Sequence, residues 1–187
     1  MMEIDPKAHQ FFCATLCEHL FENEDAISLE HARRGFADWM EWAPKCGSPI
    51  EQYMLTALMF CSFGYLDGPH RVTDDQAGQI EKEWTAWITP QFDFAPYRLD
   101  FLLTVAGFGG DGGCVVIECD GHYFHERTKE QARRDKSRDR HMQTLGFPVF
   151  RYTGSEIWKD PRGIVEDIDG YFSLILRESL RKHKGIC

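Results

Sequence analysis

Hydrophobic residues recur at helical spacing in the first third of the chain. Their spacing predicts helix over residues 6–43, interrupted at "ENEDA" and ended by "APKCG". The segment that follows, "SPIEQYMLTALMFCSFGYL", places Ser48 as an N-cap, Pro49 at the first helical position and Glu51 three residues after the cap. This is the pattern of a capping box, and it predicts a second helix that begins at Pro49.

Strand and helix patterns then alternate along the rest of the chain. Four stretches have the apolar character of strands: about 79–88, 97–106, 113–120 and "VFRYTGSEI" over 149–157. The glycine-rich "GFGGDGG" predicts a hairpin connection between the second and the third of them. A charged helix is predicted over 128–145 and a closing amphipathic helix over 161–183. The sequence therefore predicts an α/β fold in which a mixed sheet of about four strands is flanked by helices.

Length and composition are those of one medium-sized domain. The chain has 187 residues, of which 43% are hydrophobic, and we expect an N-terminal helical extension over residues 1–45 and the main domain over 46–187. No apolar run approaches the roughly 20 residues of a membrane span, and no basic leader precedes an apolar segment. Seven scattered cysteines are typical of a reducing compartment rather than of a disulfide framework. We therefore expect a cytoplasmic protein without a membrane partner.

Two carboxylates end the third predicted strand. In "CVVIECD" the apolar residues run directly into Glu118 and Asp120, which are two positions apart and therefore project from the same face. The hairpin partner would bring Asp100 alongside, because its N-terminal end lies opposite the C-terminal end of this strand. Grouped carboxylates repel one another, and a hard divalent cation such as Mg²⁺ is their usual compensation. The spacing predicts an oxygen-liganded metal site that could orient a phosphodiester and activate water.

The order of these acids resembles that of the PD-(D/E)XK nuclease superfamily. Glu51 lies in the first helix of the matching region, Asp100 follows "PYRL", and "ECD" ends a hydrophobic strand. The stretch "IECDGHYFH…RRDKSRDRHMQTLGFPVFRYTGSEI" is similar to the very-short-patch-repair-like endonuclease branch, and the resemblance covers roughly residues 48–160. It implies a restriction-endonuclease-like fold and Mg²⁺-dependent phosphodiester hydrolysis, in which Mn²⁺ can substitute, with DNA as the expected partner and RNA as the alternative.

Carried over position by position, the resemblance implies catalytic roles for Glu51, Asp100, Glu118, Asp120 and His125. Asp100 and Glu118 are the implied metal ligands, with the backbone carbonyl of Cys119 as a third. We expect the four carboxylates to converge on one metal site. Asp120 departs from the superfamily pattern, which has a lysine at this position, whereas the repair-like branch has a histidine there. This departure moves the expected proton transfer to His125, which matches a later histidine of the branch.

Basic residues are concentrated in the charged helix, although the chain carries a formal net charge of −9. Between Arg127 and Arg140 there are seven basic residues against three acidic ones. The residues expected to contact nucleic-acid phosphates are Lys129, Arg133, Lys136 and Arg140, which share one face of the helix, and Arg151 on the fourth strand. The alternatives are a solvated charged face and, for Arg151, an ion pair within the protein.

Other interpretations of these residues stay open at the level of sequence. Glu51 can serve as a capping-box acid alone, and the acids at the strand ends can be solvated. The function expected from the resemblance is that of a DNA endonuclease. The alternatives are a nucleic-acid-binding module of the same fold that has lost hydrolysis, suggested by Asp120 and by the acidic composition, and an RNA-directed or exonucleolytic nuclease.

Overall fold

A computed structural model of the protein describes residues 36–60, 71–72, 86–106, 112–120 and 129–183. The predicted helix up to residue 35, the hairpin connection at 107–111 and His125 lie outside these residues. The first described helix, α1, is Phe36–Trp42, and a 3₁₀ turn follows at Ala43–Lys45. The proposed boundary between an N-terminal extension and the main domain at residue 45 stays a prediction.

In the described residues, the centre of the fold is a mixed sheet of five strands in the order β1-β2-β3-β4-β5. The strands are β1 Arg71–Val72, β2 Ala86–Phe94, β3 Tyr97–Ala106, β4 Gly112–Asp120 and β5 Val149–Thr153. β2, β3 and β4 are antiparallel neighbours, whereas β1 pairs with β2 and β5 with β4 in parallel. Four of the strands are longer than two residues, so the predicted mixed sheet of about four strands is confirmed.

Helices lie on both faces of this sheet. They are α2 Pro49–Phe60, α3 Lys129–Thr144, α4 Gly154–Lys159 and α5 Pro161–His183. Buried residues of α2, α4 and α5 pack on one face, and the buried Met142 of α3 packs on the other. The structure therefore has the predicted α/β class, and it is consistent with a restriction-endonuclease-like fold.

The alternation of side chains along β4 explains why this strand has a continuous apolar sequence. Val115 and Ile117 are fully buried against α2 and α5, and Val116 is fully buried against Met142 of α3. A strand covered on both faces needs apolar residues at successive positions rather than at alternate ones. This burial fixes the register of β4, and with it the face from which each carboxylate at its end projects.

Most of the predicted boundaries are close: β3 has the predicted bounds 97–106, and β4 begins one residue before the predicted 113. The charged helix α3 ends one residue before the predicted 145, and α5 has the predicted bounds 161–183. β2, by contrast, extends to Phe94 rather than to residue 88. No helix among the described segments combines the length and the apolar character that a membrane crossing requires.

The prediction that the fourth strand continues to residue 157 is wrong, because a capping box ends it at Thr153. The Thr153 hydroxyl accepts a hydrogen bond from the amide of Glu156 at 3.3 Å, and the Glu156 carboxylate accepts one from the Thr153 amide at 2.7 Å. These two bonds satisfy donors that the first turn of a helix leaves free. Residues 154–159 are therefore the helix α4.

Candidate active site

The antiparallel ladder between β3 and β4 brings Asp100 beside the acidic end of β4. The register pairs Phe101 with Ile117, which places Asp100 opposite Glu118 at the next position. There the Asp100 side chain adds a bond between the two strands, since its Oδ2 accepts a hydrogen bond of 2.7 Å from the backbone amide of Cys119. The predicted approach of Asp100 to the end of β4 is therefore confirmed.

The two carboxyl groups share an environment that opposes their charge. Burial raises the pKa of Asp100 to about 6; the Cys119 amide opposes this rise and the charge of Glu51 adds to it. Burial also raises the pKa of Glu118 to about 7, with a further contribution from the charge of Asp100. Two adjacent acids whose pKa values are both raised by desolvation, with that of Glu118 raised further by Asp100, are a typical feature of functional sites.

Glu118 is held by an arginine of helix α3. Nη2 of Arg138, in α3, donates a hydrogen bond of 2.6 Å to Oε2 of Glu118, and the charge of Arg138 partly offsets the rise in the Glu118 pKa. The other oxygen, Oε1, is buried and accepts no hydrogen bond from the part of the chain that the structure describes. A buried carboxylate oxygen without a donor is costly, and it marks a position where a cation or a proton would be stabilising.

Asp120 takes part in a second group of charges, on the same side of the sheet. Arg151 of β5 donates to Oδ1 of Asp120 at 2.9 Å and to Oδ1 of Asp139 of α3 at 2.7 Å. The parallel register of β4 and β5 places Arg151 beside Glu118 as well. The alternative reading of Arg151, as an ion-pair partner within the protein, therefore describes its contacts in this structure.

Glu51 forms the predicted cap of α2. Its Oε1 accepts a hydrogen bond from the Ser48 hydroxyl at 2.8 Å, and its amide donates to the same hydroxyl at 3.3 Å. Its Oε2 accepts from the Gly47 amide and from the side-chain amide of Gln91, both at 2.7 Å. Glu51 also contributes to the raised pKa of Asp100. Glu51 is therefore close enough to influence Asp100, while both of its oxygens already accept hydrogen bonds.

Gln91 has a strained backbone at the point where it reaches Glu51. Its φ is 52°, in the left-handed region that residues other than glycine rarely adopt. It lies between the register pairs of Pro90 with Phe101 and Phe92 with Leu99, and therefore opposite Asp100. Such strain costs on the order of 1–3 kcal/mol and persists where the surrounding contacts require it. Here the hydrogen bond to Glu51 links β2 to the cap of α2 beside Asp100.

The two thiols near the acid pair are unsuited to nucleophilic or soft-metal chemistry. Burial, together with the charges of Asp100 and Glu51, raises the pKa of the Cys119 thiol far above its usual range. Burial likewise raises the pKa of Cys46 to about 12, with added contributions from Glu51 and Asp100. Because a thiolate is the form that attacks or binds zinc, these protonated thiols favour oxygen-based chemistry at the site.

The expectation that all four carboxylates converge on one metal ion is wrong for this structure. Within the described ranges, no group of three or more histidine, cysteine, aspartate and glutamate side chains is placed to hold a metal. Glu51 already accepts three hydrogen bonds, and Asp120 is paired with Arg151. The acids that remain suited to a metal are Asp100 and Glu118, and a backbone carbonyl such as that of Cys119 can add a ligand without a further side chain.

The predicted basic face lies on the far side of α3 from the acids. Arg133, Lys136 and Arg140 are exposed, and the side chain of Lys129 is outside the described residues. Each residue of an α-helix advances about 100°, so Lys136 and Arg140 lie about 160° around the helix from Arg138. Because Arg138 contacts Glu118, this face points away from the carboxylates. Any phosphates it contacts must be remote from the acid pair.

Sequence reasoning missed three of the described residues at the site: Gln91 and Arg138, which donate to Glu51 and Glu118, and Asp139, which accepts from Arg151. All three contacts join elements that are distant in the chain, and none follows from a local pattern. A signal was available in part, because the spacing of Arg138 and Asp139 from the buried Met142 places them on the inward stripe of α3. For Gln91 the sequence holds no such signal, since it follows a proline in a stretch that was not predicted as strand.

Residues 78–170 match the model of a restriction-endonuclease-like family, REase_MTES_1575. The matched stretch includes Asp100, Glu118, Asp120, Arg138 and Arg151, but it begins after Glu51. The match supports a restriction-endonuclease-type family, and it does not distinguish the very-short-patch-repair-like branch. No curated protein and no solved structure matches the chain significantly.

Proposed function

We propose that the protein is a metal-dependent endonuclease that hydrolyses phosphodiester bonds, with DNA as its substrate and Mg²⁺ as its cofactor. One observation carries the proposal: Asp100 and Glu118 lie side by side at adjacent strand ends, Glu118 buried and Asp100 half-buried, and each has a raised pKa. Protein folding gains nothing from burying two acids together, so the pair is better explained by a ligand that neutralises it. The family match independently supports nuclease activity.

The residues of the site fit a hard divalent cation. Oε1 of Glu118 is buried and has no donor among the described residues, which leaves it available as an oxygen ligand. Asp100 and Glu118, with the backbone carbonyl of Cys119, would hold the ion, which agrees with the preference of Mg²⁺ for few protein ligands. When bound, the ion supplies charge stabilisation at the phosphodiester oxygens and a water of lowered pKa.

The remaining acids have supporting roles in this proposal. Glu51 is fixed by Ser48, Gly47 and Gln91, and its charge favours a cation beside Asp100. Asp120 orients water or substrate from its place beside Arg151. Neither residue is required as a direct ligand of the ion.

His125 is the proposed general acid of the reaction. Water attacks phosphorus and releases a proton to the solvent, the bond from phosphorus to the departing sugar oxygen breaks, and that oxygen takes a proton from the imidazolium, which becomes neutral imidazole. We expect His125→Ala to lower the single-turnover cleavage rate by about 10²–10⁴-fold, the usual range for acid–base groups, and to leave Mn²⁺ affinity nearly unchanged. A substrate with a good leaving group should recover much of this loss. Wild-type cleavage of ordinary DNA by the variant, or loss of metal binding, would contradict the assignment.

The basic face of α3 is proposed to bind phosphates remote from the scissile bond. We expect Lys136→Ala and Arg140→Ala each to weaken DNA binding about equally for all sequences and to lower the slope of log K against log salt by about 1. Because this face points away from Glu118, the maximal cleavage rate should be unchanged. Measurements of binding at several salt concentrations and of single-turnover rates at saturation separate the two effects. An unchanged salt slope would show that the face is only solvated.

A cleavage assay on plasmid DNA, single-stranded DNA and RNA tests the proposed function directly. We expect nicking or linearisation of the plasmid with Mg²⁺ or Mn²⁺, and none with EDTA. Cleavage of RNA alone, or only from strand ends, would favour the RNA-directed or exonucleolytic alternative. A melting shift on addition of metal, without cleavage of any substrate, would favour the binding module that has lost hydrolysis.

A further inference from the structure

Arg138 contacts the acid pair although the resemblance gives it no role. Its side chain crosses from the middle of α3 to the end of β4, where Nη2 lies 2.6 Å from Oε2 of Glu118. The Arg138 side chain is 19% exposed and that of Glu118 is 4% exposed, so the contact is shielded from water. A charge-assisted hydrogen bond in such a place is stronger and more strictly oriented than one at the surface.

This contact uses one oxygen of Glu118 and leaves the other available. Oε1 is buried and accepts no hydrogen bond from the described part of the chain. A carboxylate that is held through one oxygen cannot rotate freely, and its second oxygen is therefore kept in one place. The arrangement presents Oε1 as a fixed acceptor at the site where Asp100 also contributes its charge.

The next residue in α3 holds the same turn of helix in position. Asp139 accepts a hydrogen bond from Arg151 at 2.7 Å, and Arg151 also binds Asp120 at 2.9 Å. Two consecutive residues of α3 are thus tied by ion pairs to β4, one directly and one through β5. The guanidinium of Arg138 therefore reaches Glu118 from a backbone that is itself anchored.

We propose that Arg138 is a positioning residue that holds Glu118 through Oε2 so that Oε1 is presented to the metal ion. This inference rests on the proposed function and deepens it, because it names the group that orients one of the two ligands. Residues that orient metal ligands without touching the metal typically contribute about 10–100-fold to metal affinity.

A purely electrostatic role for Arg138 would have the opposite consequence. A cation beside the site repels a divalent ion, so removal of its charge alone would tighten metal binding. If Arg138 fixes Glu118, its removal weakens metal binding even though a repelling charge has been lost. The sign of the change in affinity therefore distinguishes the two roles.

The test is a titration of the full chain with Mn²⁺ in the absence of nucleic acid, in which calorimetry measures the Mn²⁺ affinity. We expect Arg138→Gln to bind Mn²⁺ about 10–100-fold more weakly than the wild type, and Arg138→Lys to lose less because it keeps one charged donor. Arg134→Gln is the matched control, since Arg134 is an exposed arginine one turn earlier in α3. It should keep the wild-type affinity. If Arg138→Gln fails to fold, as its melting curve would show, Arg138→Lys decides the question: weaker Mn²⁺ binding with the charge retained supports the positioning role, and wild-type affinity overturns it.

The same substitution made in a variant that already lacks the Glu118 carboxylate shows whether Arg138 acts through Glu118. In Glu118→Gln, which lacks the carboxylate, the further change Arg138→Gln should cause no further loss of Mn²⁺ affinity. An equal loss in both backgrounds, or unchanged or tighter binding by Arg138→Gln alone, overturns the positioning role. If the positioning role is overturned but the wild type binds Mn²⁺ and cleaves DNA, the proposed function stands without a role for Arg138. A wild type that binds no Mn²⁺ overturns both.

Discussion

Asp100→Asn and Glu118→Gln are each expected to lower DNA cleavage by at least about 10³-fold, since several kcal/mol of transition-state stabilisation depend on the charged pair. Each change removes one negative charge from the site while it keeps the size of the side chain. The measurement is the single-turnover rate with saturating Mg²⁺. An amide oxygen binds a divalent cation more weakly than a carboxylate does, so added metal should restore little activity.

The same substitutions should leave the metal-free fold intact or make it more stable. Asn at position 100 can still accept the hydrogen bond from the Cys119 amide. Both changes remove the repulsion that contributes to the raised pKa of Glu118. Thermal melting in EDTA at pH 8 should therefore give a melting temperature at or above that of the wild type. Inactivity accompanied by a much lower melting temperature would indicate a structural defect instead of a lost ligand.

A matched control is available on β2. Asp93 is an exposed aspartate whose carboxylate lies 3.9 Å from Arg98, a distance at which a surface ion pair contributes little. Asp93→Asn should cleave DNA at the wild-type rate. Wild-type cleavage by Asp100→Asn would rule out the proposed role of the acid pair.

The sequence predicted the acid pair because the pair depends on local rules. Side-chain alternation set the face of Glu118, and hairpin geometry set Asp100 opposite to it. The burial of "VVI" on both faces then fixes the register on which both inferences depend. These constraints depend only on short stretches of sequence, so they can be derived without knowledge of the tertiary structure.

The sequence could not predict which cation neutralises each acid. Arg138 lies 20 positions after Glu118, and its contact depends on how α3 crosses the sheet. Several arginines of the same helix are equally good candidates by sequence, and the exposed face with Arg133, Lys136 and Arg140 points away from the site. Local charge spacing identifies the faces of a helix, but only packing decides which face is turned inward.

Two errors in the strands have different causes. β5 ends at Thr153 because "TGSE" forms a capping box, which is a local signal in the sequence. β2 continues past Pro90 to Phe94, and this is a tertiary effect, since residues on both sides of the proline pair with β3. Proline usually argues against a strand interior, so the sequence favoured an earlier end.

The metal-free protein is expected to lose stability as the pH rises from about 4 to 7. The reference pKa of Asp100 is 3.8 and that of Glu118 is 4.5, and the folded values are about 6 and about 7. Below pH 4 both groups are protonated in either state and oppose folding little. Between these values the unfolded chain releases protons that the folded protein retains, so the free energy of unfolding falls. Above pH 7 the loss is complete.

The size of this loss and its reversal by metal give the prediction a second test. Each pKa unit is equivalent to about 1.4 kcal/mol, so Asp100 alone costs the folded state on the order of 3 kcal/mol at pH 8. Urea unfolding in EDTA at pH 5 and pH 8 measures the difference, which should be smaller in Asp100→Asn than in the wild type. Mg²⁺ binds the ionised pair in competition with protons, so it should stabilise the wild type more at pH 8 than at pH 5. Equal pH dependence in the two proteins would mean that Asp100 titrates normally, and the burial of charge from which the metal site is inferred would lose its support.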